Sequence, residues 1–302
     1  MKILITGSNG LLGQKLVKLL LEEGVEVIAT ARGTNRLPYT HPNLHFVSLD
    51  ITNSESINNV FGAQKPDVVI NTAAMTNVDQ SELEREACVE LNVTAVKYLV
   101  AACEENDIFL VHLSTDFIFK GDAGPYGEDD ESNPVNFYGQ SKLDGEKVLM
   151  ASKIDWAIVR TVLVYGIVHD MSRSNIALWV KSSLESGKQI KVVDDQLRSP
   201  TLADDLAIGC YLIAKKRAKG VFNIAGKDLL TPYQMAEKTA AFFNLDTSTM
   251  ERADSSTFQQ TAQRPLITGL LIEKARRELG YEPRSFDEGL ALMAAEIERM
   301  GH

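Results

Sequence analysis

Cysteine is scarce: Cys88, Cys103 and Cys210 are the only three in 302 residues, too scattered for a disulfide framework or a zinc site with recognisable ligand spacing. No metal is expected. Basic charge is short as well, with 31 Lys and Arg against 41 Asp and Glu and a net charge of −10. Such a chain lacks the cationic surplus that nucleic acid or an anionic membrane would need. No apolar run approaches the ~20 residues of a membrane helix. Met1-Lys2 leads straight into Ile3-Leu4-Ile5 with no leader-like stretch. The expectation is a cytoplasmic protein that binds neither nucleic acid nor membrane. Small anions stay open as ligands, because a few arginines and a helix N-terminus hold a phosphate on an acidic protein.

What the sequence does have is apolar material, 44% of the chain, in a regular order. Short β-branched runs at 2–6, 25–30, 44–49, 67–72, 108–114, 156–161 and 221–225 alternate with helical periodicity at 11–23, 82–105 and 137–151. Each helical stretch is long enough to cross back over a parallel sheet, which predicts a doubly wound α/β fold of the Rossmann type. After Tyr165-Gly166 the pattern loosens into a loop at 167–174, a helix, an isolated strand at 189–193 and mainly helices after Thr231. These are read as a smaller C-terminal substrate-binding lobe, residues 166–198 with 227–302. The cofactor domain is residues 1–165 with 199–226, and the cleft lies between the two.

Gly7, Gly10 and Gly13 fall where the first strand becomes the first helix. That position predicts a dinucleotide loop. Gly7 allows the tight turn, Gly10 lets the backbone approach a pyrophosphate, Gly13 lets the helix pack closely, and the helix N-terminus faces the anion. Asn9, Leu11 and Leu12 complete that loop. The second strand ends in Thr30-Ala31-Arg32 rather than in the carboxylate that accepts bonds from the adenine ribose of NAD. A guanidinium there suits a 2′-phosphate, so NADP(H) is expected, with NAD(H) the alternative. A solvated surface arginine is the plain reading of Arg32, and a loop charge that of Arg36. Asp50-Ile51 is placed against the adenine edge, or Asp50 only starts a turn.

Tyr138 and Lys142 lie one helical turn apart on one face. An ammonium beside a phenol favours the phenolate, so Tyr138 is the expected acid that protonates a ketone oxygen. The third group should be a hydroxyl at the end of the fifth strand, where Ser114 and Thr115 stand, orienting the carbonyl. Ordinary strand-end capping is the bland alternative for that pair.

The run Ser114-Thr115-Asp116-Phe117-Ile118-Phe119-Lys120-Gly121, with Pro125-Tyr126, Pro134 and Tyr138-Gly139-Gln140-Ser141-Lys142-Leu143, is not generic. It is joined by Asn71-Thr72-Ala73-Ala74, Val78-Asp79, Asn92-Val93, Val159-Arg160-Thr161, Val164-Tyr165-Gly166, Asp194-Asp195-Gln196, Pro200-Thr201, Asp204-Asp205-Leu206-Ala207 and Arg264-Pro265. Over nearly its whole length the chain resembles the dTDP-4-dehydrorhamnose reductase family, extended short-chain dehydrogenases. That resemblance implies catalysis by Thr115, Tyr138 and Lys142, with Lys142 also holding the nicotinamide ribose. It implies a cofactor channel lined by Ala73 and Ala74 with Thr76 and Asn92, and sugar contacts from Asp116, Phe117, Leu163, Arg198 and Arg264. The partners it implies are a nucleotide-sugar substrate and, at most, a second copy in a homodimer.

The sequence also departs from that family. Leu163 stands where Trp is usual, Arg198 where Gly is common, and Leu266-Ile267-Thr268 loses the Asn and Ser of the family's R-P-x-N-S. By the same resemblance, Phe117 fills the place of the glutamate that sugar-nucleotide dehydratases use. An epimerase, and a regulatory subunit resembling methionine adenosyltransferase β, remain as alternatives to reduction of a 4-keto-6-deoxy sugar.

Overall fold

The computed structural model describes residues 1–171 and 174–300; residues 172–173 of the expected 167–174 loop lie outside the described residues. Eleven strands occur among these in chain order: β1 (Lys2–Thr6), β2 (Glu26–Ala31), β3 (Leu44–Ser48), β4 (Val68–Asn71), β5 (Phe109–Thr115), β6 (Trp156–Thr161), β7 (Val164–Tyr165), β8 (Ile190–Val193), β9 (Thr201–Leu202), β10 (Gly220–Asn223) and β11 (Met250–Ala253). The order β10-β6-β5-β4-β1-β2-β3 makes one seven-stranded sheet, parallel throughout. This is the Rossmann arrangement, and strand order reverses between β1 and β4, where such sheets open a crevice at their carboxyl ends.

Residue alternation explains why helices cover both faces. Ile3, Ile5, Val68, Ile70 and Val111 point to one side, where α1 (Leu11–Glu22) contributes Leu16 and Val17. Leu4, Val69 and Leu110 point to the other, against Ile57 and Phe61 of α2 (Ser54–Gln64). Both faces are dry, so the strands read as near-continuous apolar runs.

The helical stretch expected at 82–105 is broken. Short helices α3 (Val78–Leu83) and α4 (Arg85–Val89) are separated at Glu84, which has φ −116° and ψ 55°. A π-turn at Glu90–Thr94 then leads into α5 (Ala95–Asn106). Side chains claimed by tertiary partners account for the break. Glu82 accepts the Phe137 N–H at 2.7 Å, and Asn92 in the π-turn bonds the backbone of Met75. Helical periodicity carries no trace of such partners. Helix α6 (Phe137–Met150) is locked to β6 by a buried pair in which Arg160 grips both oxygens of Glu146, at 3.0 and 2.8 Å.

Beyond β6 the chain forms α7 (Ile176–Glu185), α8 (Ala203–Lys216), α9 (Pro232–Phe242), α10 (Glu273–Leu279) and α11 (Phe286–Met300). The strand expected at 189–193 is not isolated: β8 pairs in parallel with β11, a segment the sequence reading left among helices. A lone strand would leave its backbone groups unpaired. Strand β7 pairs with β9. Tyr165, Leu202, Phe286, Leu290 and Met293 form one small core here, and Val180, Ile190, Val192 and Ala236 form another. No helix among the described residues is long and apolar enough to cross a membrane.

Candidate active site

A cleft of about 1130 Å³ opens at the carboxyl ends of β1, β2, β4 and β5. Its floor begins at the glycine loop. Gly7 has φ +69°, and a Cβ there would lie 2.9 Å from Thr72 Oγ1. At Gly13 a Cβ would sit 2.3 Å from the Gly7 carbonyl oxygen, so only glycine lets α1 press against the turn. Helix α1 starts after Gly10 with no side-chain cap. Its first-turn N–H groups, at Leu11, Leu12 and Gly13, are therefore aimed into the cleft with the positive end of the helix dipole behind them. Glycine at 7, 10 and 13 keeps this cradle open, as a pyrophosphate would require.

Asn9 lines the cleft but also acts as a brace. Its Nδ2 donates to the Thr34 carbonyl at 3.0 Å and its Oδ1 accepts the Arg36 N–H at 3.0 Å, fixing the β2–β3 loop beside the phosphate cradle. Arg32, exposed, and Arg36 stand on that loop, and Arg36 reaches Asp170 at 3.4 Å. Asp50 and Ile51 form the opposite wall. Partial burial works against the Asp50 charge, but two bonds from Thr52 and the nearby Arg32 outweigh it and hold its carboxyl below the usual range. A 2′-phosphate here would meet Arg32 with a carboxylate close by.

The far wall comes from α6 and the end of β5. Asn136 caps α6 by accepting the Gly139 N–H at 2.8 Å, and a Cβ on Gly139 would lie 2.0 Å from the Phe117 carbonyl oxygen. That close approach brings Tyr138 against the edge of Phe117, with ring centroids 6.0 Å apart and planes at 70°. Lys142, one turn on, is 3% exposed, and its Nζ lies 3.3 Å from His112 Nε2. Burial pushes the Lys142 ammonium down to about 8, partly opposed by Glu146 and Cys88. Burial, with the Lys142 charge, likewise drives the His112 pKa well below its usual value.

The two candidate hydroxyls differ. Thr115 Oγ1 donates to Asp116 Oδ1 at 3.0 Å and accepts the Phe117 N–H at 3.2 Å, capping a short turn. Ser114 Oγ, buried in the cleft wall, has no hydrogen-bond partner among the described residues, and neither has Thr161 Oγ1 at the end of β6. Orphaned buried hydroxyls facing a cleft are groups a bound molecule would satisfy.

Two arginines expected on the substrate side, Arg198 and Arg264, line the cleft but are engaged within the protein. Arg198, expected to contact the sugar, spends four N–H bonds on the carbonyls of Leu197, Leu266 and Pro265 and on Gln196 Oε1. It braces the cleft wall, its guanidinium 5.7 Å above the Phe117 ring. Arg264 clamps both oxygens of Asp79 at 2.6 Å, tying the cofactor side to the 260–268 segment. That bidentate bond, more than the opposing burial, pulls the Asp79 carboxyl down to about 2. Leu163 lines the cleft in a left-handed backbone with φ +37°, uncommon for a side chain of this kind.

Thr268, read as a loss of the family's serine, retains the hydroxyl: buried, it donates to Asp116 Oδ2. Burial still raises Asp116, against Arg198, Thr268 and Thr115. Ala73, Ala74 and Thr76 line the cleft. Asn92 is absent from its wall. It sits 1% exposed behind the loop after β4, bonding Met75 and, at 3.0 Å, Ser141 Oγ of α6, so it positions that loop from the rear. Thr161 and Gln196, named above only among the family-like runs, line the cleft as well, and His112, given no role from sequence, lies behind it; a polar residue inside an apolar strand was the available signal for His112.

Known proteins agree with this architecture. A probable low-salt glycan biosynthesis reductase of Haloferax volcanii is 32% identical over 293 residues, 96% of each chain. A dTDP-4-dehydrorhamnose reductase of Aggregatibacter actinomycetemcomitans is 30% identical over 98% of this chain and 99% of its own. The solved dTDP-4-dehydrorhamnose reductase of Bacillus anthracis, in complex with NADP, superposes with a TM-score of 0.86 at 26% identity, over 98% of this chain and 99% of its own. The family model described as RmlD substrate binding domain matches residues 1–299, and the chain belongs to that family.

Proposed function

We propose that this protein is an NADPH-dependent reductase of a nucleotide-linked 4-keto-6-deoxy sugar, of the kind used in building cell-surface polysaccharide. One observation carries the reading: the bare phosphate cradle of α1, the Tyr138–Lys142 pair and the orphaned Ser114 hydroxyl line a single cleft. In this reading residues 1–165 with about 199–226 hold the cofactor, and about 166–198 with 227–302 hold the sugar nucleotide.

The N–H groups of Leu11, Leu12 and Gly13 hold the pyrophosphate, and Arg32 receives the 2′-phosphate. Bound NADPH supplies a hydride to the ketone carbon. Tyr138 gives its phenolic proton to the ketone oxygen, and Lys142 restores that proton and binds the adjoining ribose hydroxyls. Ser114 and Thr115 stand at the end of β5, where a hydroxyl donates to charge developing on the oxygen. Leu163, smaller than the tryptophan usual in the family, leaves a wider sugar pocket, so the preferred sugar differs from dTDP-4-dehydrorhamnose.

The test is loss of NADPH absorbance across dTDP-, UDP- and GDP-linked 4-keto sugars. Turnover of at least one supports the reading. Silence across the panel, with firm NADPH binding, favours a regulatory subunit instead.

A further inference from the structure

The guanidinium of Arg198 is committed to the cleft wall, and what it presents to the cleft is the amide of Gln196. The strap that carries both residues is pinned on two sides. Leu197 donates its N–H to the Leu266 carbonyl at 2.8 Å, and its own carbonyl accepts the Thr268 N–H at 3.1 Å; Arg198 and Leu230 exchange backbone bonds at 3.0 and 2.9 Å. The Arg198 side chain, 3% exposed, bonds the carbonyls of Leu197, Leu266 and Pro265. It is held at three backbone points.

A fourth bond sets the amide of Gln196. Arg198 Nη2 lies 3.0 Å from Gln196 Oε1, and a guanidinium only donates, so the amide atom that meets it is the oxygen. That choice turns the Nε2 half, with its N–H donors, the other way. Gln196 is 7% exposed and lines the cleft, and its Nε2 donates to no group among the described residues. A donor in so enclosed a side chain costs stability unless a bound molecule or water satisfies it.

The surroundings indicate what that molecule presents. Arg198 lies over the Phe117 ring, and the edge of Tyr138 meets the same ring, so the amide and the proposed proton donor border one stretch of wall. The positive charge nearby is already taken up by carbonyls. A neutral N–H suits a neutral oxygen, so a hydroxyl of the sugar ring fits it better than the diphosphate.

We propose that Gln196 is a specificity-determining residue: Arg198 fixes its amide with Nε2 toward the cleft, and that N–H group donates to one hydroxyl of the bound sugar. This deepens the reductase reading, on which the sugar substrate rests. A site built to bond a hydroxyl rejects a sugar that lacks it, because the donor is left unpaired. Arg198 acts through Gln196 and is a positioning residue.

The experiment measures binding without turnover. NADPH and a nucleotide-linked sugar that already carries a 4-hydroxyl form a dead-end complex, since both partners are reduced. Such dTDP-, UDP- and GDP-linked 6-deoxyhexoses are titrated calorimetrically into the NADPH-loaded protein, and the tightest is followed by its monodeoxy analogues. One position is expected at which loss of the hydroxyl weakens wild-type binding by about tenfold. Gln196→Ala should weaken the parent sugar by about the same factor, with less than about twofold further loss for that analogue. Arg198→Met, which frees the amide to turn over, should shrink the contribution of that hydroxyl and not of the others.

To separate a direct contact from a loosened wall, the unaltered protein is read as well. Side chains of glutamine are labelled with ¹⁵N, and the Gln196 signal is assigned by its loss in Gln196→Glu, which keeps the oxygen that Arg198 bonds. One Nε2 proton should move downfield with the parent sugar and stay in place with the monodeoxy analogue. No coupled hydroxyl in a folded Gln196→Ala, or an amide signal that the parent sugar leaves unmoved, overturns the proposal and leaves the reductase reading in place. An NADPH-loaded protein that binds none of the nucleotide sugars would sink the reductase reading, and the proposal with it.

Discussion

Gly13→Ala tests whether the phosphate cradle depends on the close approach of α1. The added Cβ would lie 2.3 Å from the Gly7 carbonyl oxygen, 2.6 Å from Ser8 Cα and 2.9 Å from the Ser8 carbonyl carbon. All three are backbone atoms, so no side chain can swing aside. Reaching ordinary contact requires α1 or the turn to move by about an ångström. Overpacking of this kind costs about 1–3 kcal/mol, offset by about 0.5–1 kcal/mol because alanine is the better helix former. A net loss of about 1–2 kcal/mol in urea unfolding is expected.

The same displacement moves the first-turn N–H groups away from the pyrophosphate. Losing one charge-assisted bond of about 1.5–3 kcal/mol weakens NADPH binding by about 10- to 100-fold. Fluorescence titration measures that affinity. Gly24→Ala is the control: it sits at φ +72° with nothing within 4 Å of its Cβ, so it should lose stability through backbone strain while cofactor affinity is unchanged. Gly13→Ala binding NADPH as tightly as the wild type would refute the cradle.

Tyr138→Phe should leave NADPH affinity intact and lower kcat by about 10² to 10⁴, because the ring stays against Phe117 while the transferable proton is gone. Arg32→Ala should weaken NADPH by about tenfold or more and leave NADH nearly unchanged; parallel titrations decide, and equal losses for both cofactors would remove Arg32 from the 2′-phosphate site. Lys142→Met should abolish turnover yet stabilise the fold. The buried ammonium titrates near 8 in the native state and near 10.5 unfolded, so the unfolded chain binds the extra proton between those values and wild-type stability rises with pH there. Against the Met variant, the wild type should be weaker by about 3 kcal/mol at pH 7, with the gap closing by pH 10.5. A gap independent of pH would show that Lys142 is not held at a depressed pKa.

The seven main strands were legible because both faces of a parallel sheet are dry, which leaves unbroken β-branched runs such as Val68–Asn71. The glycine loop was legible because spacing and position coincide at the end of the first strand. Other features depend on partners far away in sequence. Nothing local marks Arg264 as the ligand of Asp79, or says that Arg198 will spend its donors on the carbonyls around Leu266. Chain periodicity cannot show that Asn92 will bond Met75 and open a π-turn. The Met250–Ala253 strand escaped notice because its two middle residues, Glu251 and Arg252, are exposed, leaving little alternation to read.

Hydride transfer is the central claim, and isotope tracing reads it most directly. NADPH carrying deuterium at the nicotinamide C4 is incubated with the protein and a nucleotide-linked 4-keto-6-deoxy sugar, and the sugar product is analysed by mass spectrometry and proton resonance. The account predicts one deuteron at the former ketone carbon, with stoichiometric consumption of NADPH, and the same product formed about 10² to 10⁴ more slowly by Tyr138→Phe. Product formed without deuterium, or without loss of NADPH, would contradict it.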